Sequence, residues 1–412
     1  MRQALKSLKL IAAAALVSCA AGVQATTLTL SNWVPPTHFI TTDILQVWAK
    51  DVEQATEGRV KIRMLPKPVG SPPQHWELAR KGIADITWGN FTYEPDRFKA
   101  IWFAEFPFSG DNAEAQSVAL WDTYQKYLKD TPTFQGVKLL GTGMFGGGAI
   151  HHSTKNIVTP EDLANQKIRM GGPIQKRLLE DMGAVPIAAP GPQVYELVEN
   201  GVVDGSLNPI ESVINFRAAD MLKHHTLIPG GFYDATFFLA MNEGKWNKLS
   251  DADKKAIMSV SGEHFSRLWG SEYDRQTEMA LKELKEQNHQ FNTPSPELMA
   301  NIEEVNKTVV AEWAADSASF NIDDPMEMVE FYRSRYNELR LGFNALFRWT
   351  VRHKVGHSLP VPTRHTEIFL GKPYAFFSAK NSKIHRAIFD WCFACNGVPD
   401  VCRRHWAPLF RR

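Results

Sequence analysis

Arg169 lies at the end of a short apolar run, Lys167-Ile168-Arg169-Met170. A guanidinium at the carboxyl end of a strand can grip a carboxylate through two parallel N–H···O bonds, because its fork is planar and permanently charged. Asn208 stands before Pro209, where its amide offers both donors and an acceptor. Asn90 follows a second short apolar run, Asp85-Ile86-Thr87-Trp88-Gly89. Trp88, Trp33, Phe232 and Tyr233 supply aromatic surface that can floor a pocket, with Phe91 and Tyr93 as weaker candidates. Together these residues suit binding of a small organic anion. Each also has an ordinary role: most arginines are surface residues, Asn-Pro is a common turn, and tryptophans fill cores. No Gly-x-Ser-x-Gly nucleophile turn and no His-Glu-x-x-His metal motif occurs in the chain.

The stretch Asp162–Pro209 must position Arg169 and Asn208. It reads as strand Lys167–Met170, a helix near Ile174–Met182 ended by Gly183, an extended segment Val185–Ala188, a helix Gln193–Asn200 stopped at Gly201, and Val202-Val203-Asp204-Gly205. That β-α-β-α-β order predicts parallel strands with crossover helices, with ligands at the strands' carboxyl ends. The same order occurs earlier: strand Thr27–Asn32 stopped by Pro35-Pro36, helix Thr41–Thr56, strand Arg59–Leu65, helix Trp76–Lys81 and strand Asp85–Gly89. Two similar lobes are therefore expected. Further elements are a helix Ala113–Lys129, a strand Val137–Leu140, a helix Glu211–Leu222 and a strand Ala235–Asn242. A long helix from Ser250 to about Gln287 is interrupted in sequence only by Gly262 and Gly270. Gly141–Gly148 contains a Gly-x-Gly-x-x-Gly, but the residues after it are poor helix material, so it reads as a hinge crossing between lobes and not as a dinucleotide fingerprint. His151-His152 read as a solvated polar loop.

The Asp-Leu-x-x-x-Lys-Ile-Arg run ending at Arg169, Gly183-Ala184-x-Pro186, the Val-Tyr-Glu-Leu run at Val194–Leu197, and Gly-Val-Val-Asp-Gly followed by Asn208-Pro209 resemble the solute-binding proteins of TRAP transporters (tripartite ATP-independent periplasmic, DctP-type). The resemblance extends over Thr26–Arg340. It implies an α/β, two-lobed periplasmic-binding-protein fold with a long helix spanning both lobes. Lobe I is expected at 26–146 plus about 233–275, and lobe II at about 147–232 plus 276–340. It implies that Arg169 is the ligand-carboxylate arginine, and that Asn208 and Asn90 are polar ligand contacts. It also implies a monomeric carrier that closes over a small organic acid and delivers it to TRAP membrane subunits. Some relatives place a second arginine where this chain has Ala149, which disfavours a dicarboxylate held by two arginines. Ser206-Leu207-Asn208 lacks the carboxylate of the family's metal-dependent keto-acid binders. No metal, no cofactor and no catalytic residue is expected. The alternatives are an exported sensor feeding a membrane kinase and, behind it, an exported enzyme.

Composition agrees with a large soluble core: 412 residues, 44% hydrophobic, 22% charged, net charge +1. That balance gives no reason to expect a nucleic-acid partner. Residues 1–25 read as a secretion signal, with Arg2, Lys6 and Lys9 before the apolar Leu10–Val17 and cleavage after Ala25; Leu16-Val17-Ser18-Cys19 is an alternative lipoprotein box. The expected location is the periplasm. The body has no cysteine between Thr26 and Arg340. Residues 341–412 carry twelve cations and three acids, a net +9 that leaves −8 for the rest. They read as a poorly ordered basic extension. Its Cys392-x-x-Cys395, Cys402 and His405 are too loosely spaced for a convincing zinc site.

Overall fold

The computed structural model describes residues 25–354, and side chains as far as residue 341. The expectations for the leader, for Cys19 and for the tail cysteines with His405 lie outside the described residues. The chain first lays down β1 (Thr26–Ser31), β2 (Val60–Met64), β3 (Ile86–Asn90) and β4 (Val137–Gly143). It then builds β5 (Ala149–His152), β6 (Lys167–Met170), β7 (Val185–Ala188), β8 (Gly205–Asn208) and β9 (His224–Thr226), returns for β10 (Phe237–Asn242), and closes with β11 (Gln290–Asn292). Two sheets result, in the orders β2-β1-β3-β10-β4 and β11-β9-β5-β8-β6-β7. The β-α-β reading holds in both: β1 pairs in parallel with β2 and β3, and β6 with β7 and β8. Such strands are covered on both faces, so Leu28, Leu30, Ile86 and Trp88 are fully buried.

The expected long helix is two helices, Asp251–Ser259 and Glu263–Glu286. Gly262 breaks it with φ 59° and ψ −125°, a conformation that favours glycine, and its N–H turns to Leu140 O at 2.6 Å. Gly270, the other glycine in that stretch, stays helical. The 24-residue second helix spans both lobes. It packs on helix Ala113–Thr123 and β4 of one lobe and on helix Ile210–Asn215 of the other.

The glycine-rich run was only partly legible. Its first glycines extend β4, and their lack of a side chain admits the long helix. A Cβ on Gly141 would lie 2.3 Å from the Phe265 ring, and one on Gly143 would lie 2.4 Å from Trp269. Gly146 and Gly147, at φ +85° and +95°, then carry the chain into β5. This crossing lies beside the return crossing, joined by Gly148 N–H to Tyr233 O (2.7 Å) and Phe232 N–H to Gly148 O (3.1 Å). The buried Asp234 carboxyl also accepts from the Phe145, Gly147 and Ala235 amides.

Other differences have local causes. Helix Ala113–Lys129 is α-helical to Thr123 and continues as a π-turn, Tyr124–Leu128. The helix read as Glu211–Leu222 is Ile210–Asn215, because Arg217 takes φ +59°. His151 and His152 are not in a solvated loop but in β5, both buried.

Candidate functional site

Arg169 sits on β6, next to the edge strand of the second sheet, opposite Ile187 in β7 and Ser206 in β8, and is 4% exposed. Its fork is fixed by backbone: Nε and Nη2 donate to Ala189 O (2.9 and 2.7 Å), and Nη1 donates to Leu207 O (2.8 Å). Asn208 satisfies its surroundings when its amide nitrogen faces Ser206 Oγ and Leu207 O (3.1 Å) and its oxygen accepts from Arg169 Nη1 at 3.2 Å. Among the described residues Arg169 forms no ion pair. A guanidinium has five N–H donors, so part of the fork remains for another acceptor. A buried charge without a counter-ion costs several kcal/mol, and an anionic ligand would remove that cost.

The cleft over Arg169 is lined from both lobes. The first lobe contributes Trp33, His38, Asn90 and Tyr93, and the crossing segments, β10 and the long helix add Phe145, Tyr233, Phe237 and Tyr273. The second lobe contributes Gln175, Asn208, Glu211, Ser212 and Phe216. The lining contains no lysine and no second arginine. His38 does not replace them: burial pushes its pKa down to about 4, and Nδ1 accepts from the Ile40 amide. Ala149, the position of the second arginine in some relatives, lies opposite Asn208 across β5 and β8.

Of the residues singled out from sequence, the structure brings Arg169, Asn208, Asn90, Trp33 and Tyr233 to this cleft, and Tyr93 as well. Asn90 Oδ1 is occupied by the Thr92 amide (2.8 Å), which leaves Nδ2 for a ligand. Trp33 Nε1 is buried and has no acceptor among the described residues. Trp88 and Phe232 do not line the cleft. Trp88 lies behind the wall, stacked on Trp33 at 4.3 Å, with Nε1 donating to Asn32 Oδ1 at 2.9 Å. Phe232 is fully buried 6.2 Å from the Tyr233 ring. Phe91 belongs to a separate aromatic cluster with Trp76 and Phe98.

Sequence reasoning missed His38, Phe145, Gln175, Glu211, Ser212, Phe216, Phe237 and Tyr273. Glu211 follows the Asn208-Pro209 turn by two residues, and that proximity was the available signal. Phe237 and Tyr273 carry no local mark and reach the cleft only through the fold.

Behind the site runs a chain of imidazoles. Lys223 Nζ meets His289 Nε2 (3.3 Å), His289 Nδ1 meets His225 Nε2 (2.8 Å), His225 Nδ1 meets His151 Nδ1 (2.8 Å), and His151 Nε2 meets Asn208 O (2.9 Å). The carbonyl can only accept and the ammonium can only donate. Every proton therefore points toward Asn208, and the three rings are neutral. Burial pushes His151 down to about 4 and His225 to about 2, and it lowers His289 as well.

The comparisons agree with this geometry. The family model described as bacterial extracellular solute-binding protein, family 7, matches residues 30–316. The outer membrane transporter protein TsaT of Comamonas testosteroni is 29% identical over 335 residues, covering 81% of this chain and 98% of that protein. A TRAP periplasmic solute-binding protein from Bordetella bronchiseptica, solved with bound (R)- and (S)-mandelate, superposes with TM-score 0.74 at 35% identity, covering 76% of this chain and 99% of that one. A TRAP solute-binding protein from Rhodoferax ferrireducens with copurified benzoate gives TM-score 0.71 at 25% identity, covering 76% and 98%. An unpaired arginine set beneath a two-lobed cleft, on a chain matched over most of its folded body, places this protein among the family 7 bacterial extracellular solute-binding proteins, the solute-binding components of TRAP transporters.

Proposed function

We propose that the protein captures an aromatic monocarboxylate, closes its two lobes over it and delivers it to TRAP membrane subunits as a periplasmic monomer. The observation that carries this reading is Arg169, buried without a counter-ion beneath a ring of aromatic side chains. The ligand carboxylate takes the N–H of the fork that remains on Nη2, flanked by the Asn208 amide. Trp33, Tyr93, Phe216, Phe237 and Tyr273 hold the ring by stacking and edge contacts, which suit arenes better than polyols. A single cation in the lining favours one carboxylate over two. The bound mandelate and benzoate of the two similar structures support the same class. Closure is a population shift, since a ligand that contacts both lobes binds the closed form more tightly.

A thermal-shift panel tests the reading. Benzoate and mandelate should raise the melting temperature of the protein, while benzamide and benzyl alcohol, which keep the ring without the charge, should not. At about 100 times the dissociation constant the stabilisation is about 2.7 kcal/mol. Equal shifts by charged and uncharged rings, or shifts with sugar acids alone, would overturn it.

A further inference from the structure

Glu211 is the one carboxyl in the cleft lining among the described residues, and the carboxylate reading gives it no work. It lies in the first turn of helix Ile210–Asn215 and is 1% exposed. Oε1 accepts from Ser212 Oγ at 3.0 Å. Oε2 is buried with no hydrogen-bond partner among the described residues. The Asp234 carboxyl, of its own sign, adds to the effect of burial. A carboxylate held this way would be a buried anion without a cation, so the group keeps its proton. Burial, reinforced by Asp234, pushes its pKa up to about 8. A neutral carboxyl is a donor. Because Oε1 already accepts from Ser212, the proton belongs on Oε2, the oxygen without a partner.

Resting on the reading that Arg169 holds the ligand's carboxylate, we propose that Glu211 determines specificity by donating from Oε2–H to a second oxygen of the ligand, a hydroxyl or oxo group. Arg169 and Asn208, adjacent through β6 and β8, serve the carboxylate. Glu211 stands beyond Pro209 on the following helix, among the aromatic residues that hold the rest of the molecule. The favoured ligands are therefore hydroxy- or oxo-substituted aromatic acids, in preference to plain acids of the same shape.

The experiment is calorimetric titration of the full chain with two matched pairs, mandelate against phenylacetate and 3-hydroxybenzoate against benzoate. Wild type should favour the oxygenated member of at least one pair by about tenfold. Glu211→Leu should bring the pair to near equality, with the oxygenated acid losing more affinity than the plain one. Glu211→Gln, which still offers an N–H donor, should keep part of the preference. A wild type without preference, or a Glu211→Leu protein that keeps it, overturns the proposal. So does an equal loss for both members of a pair, which would put Glu211 on the carboxylate instead. If none of the four acids binds, the aromatic-carboxylate reading fails separately, and infrared difference spectroscopy decides Glu211. The wild type minus Glu211→Gln spectrum at pH 7 should carry a protonated carboxyl C=O band, and an ionised carboxylate in its place overturns the proposal whatever the acids do.

Discussion

The hydroxyl of Tyr93, in the first lobe, accepts a hydrogen bond from the backbone amide of Gly191, in the second, at 3.0 Å. Beside it, Gly172 meets Thr92 so closely that a Cβ on the glycine would fall 1.9 Å from Thr92 Cγ2. The lobes therefore touch along one edge of the cleft through a tyrosine hydroxyl and a bare glycine. Gly172 has extended backbone, φ −153° and ψ 174°, which any residue adopts. Gly172→Ala should leave each lobe folded and obstruct only their approach. Its expected effects are unliganded stability within about 0.5 kcal/mol of wild type, at least about tenfold weaker ligand binding, and loss of the ligand-induced compaction seen by small-angle scattering. Tyr93→Phe, which leaves the Gly191 amide without its partner, should cost about 1 kcal/mol, or roughly fivefold in affinity. Wild-type affinity in the alanine variant would show that the edge does not form on binding.

Glu211 predicts a pH dependence of opposite sign to that of an ordinary surface carboxyl. Its folded pKa is raised from 4.5 to about 8, so the folded protein keeps a proton that the unfolded chain releases. The stability linked to this group is fully present below about pH 4.5 and is lost as pH rises toward 8. Ionised Glu211 also repels an anionic ligand. Affinity should be level near neutrality and fall above pH 8, and Glu211→Gln should remove the fall. Equal alkaline loss in wild type and variant would contradict this.

The imidazole chain predicts specific tautomers and an acid limb. His151 should carry its proton on Nε2, and His225 and His289 on Nδ1, all neutral at pH 7, which long-range 15N–1H spectra read directly. The folded pKa values lie below the ordinary 6.5, at about 4 for His151 and about 2 for His225. Their contribution to stability is present above pH 6.5 and is lost as pH falls through the folded values. Denaturation midpoints should drop between pH 7 and pH 4. An imidazolium among the three at pH 7 would contradict the assignment.

Gly143→Ala tests how the long helix is seated. Its Cβ would lie 2.4 Å from Trp269 Cδ1 and Nε1, with the ring fully buried and unable to withdraw freely. Overpacking of this kind costs about 1–3 kcal/mol. Chemical denaturation should show a lower midpoint. An unchanged midpoint would mean that the helix shifts without strain.

Much of this architecture was legible because local rules and global fold agree. The Lys167–Met170 strand, its parallel neighbours and the glycines at 183 and 201 follow from periodicity and helix stops. Arg169 and Asn208 stood out because charge and turn chemistry mark them locally. Three features were hidden for physical reasons. The helix break at Gly262 depends on a positive φ that a glycine permits but does not announce. His151 and His152 alternate with nothing and reveal their burial only through pairing with β8 and β9. Phe145, Phe216, Phe237 and Tyr273 reach one cleft from four separate segments, and no sequence window contains more than one of them. Trp88 shows the reverse: its strand was legible, but the residue sits at the middle of β3, fully buried and stacked on Trp33.

The most direct measurement of the central claim is calorimetric titration of wild type and Arg169→Ala with mandelate and benzoate, with circular dichroism to confirm that the variant is folded. One charge-assisted bond at roughly 1.5–3 kcal/mol predicts a loss of at least about tenfold in a folded variant. A folded Arg169→Ala protein that binds these acids as tightly as wild type would contradict the account.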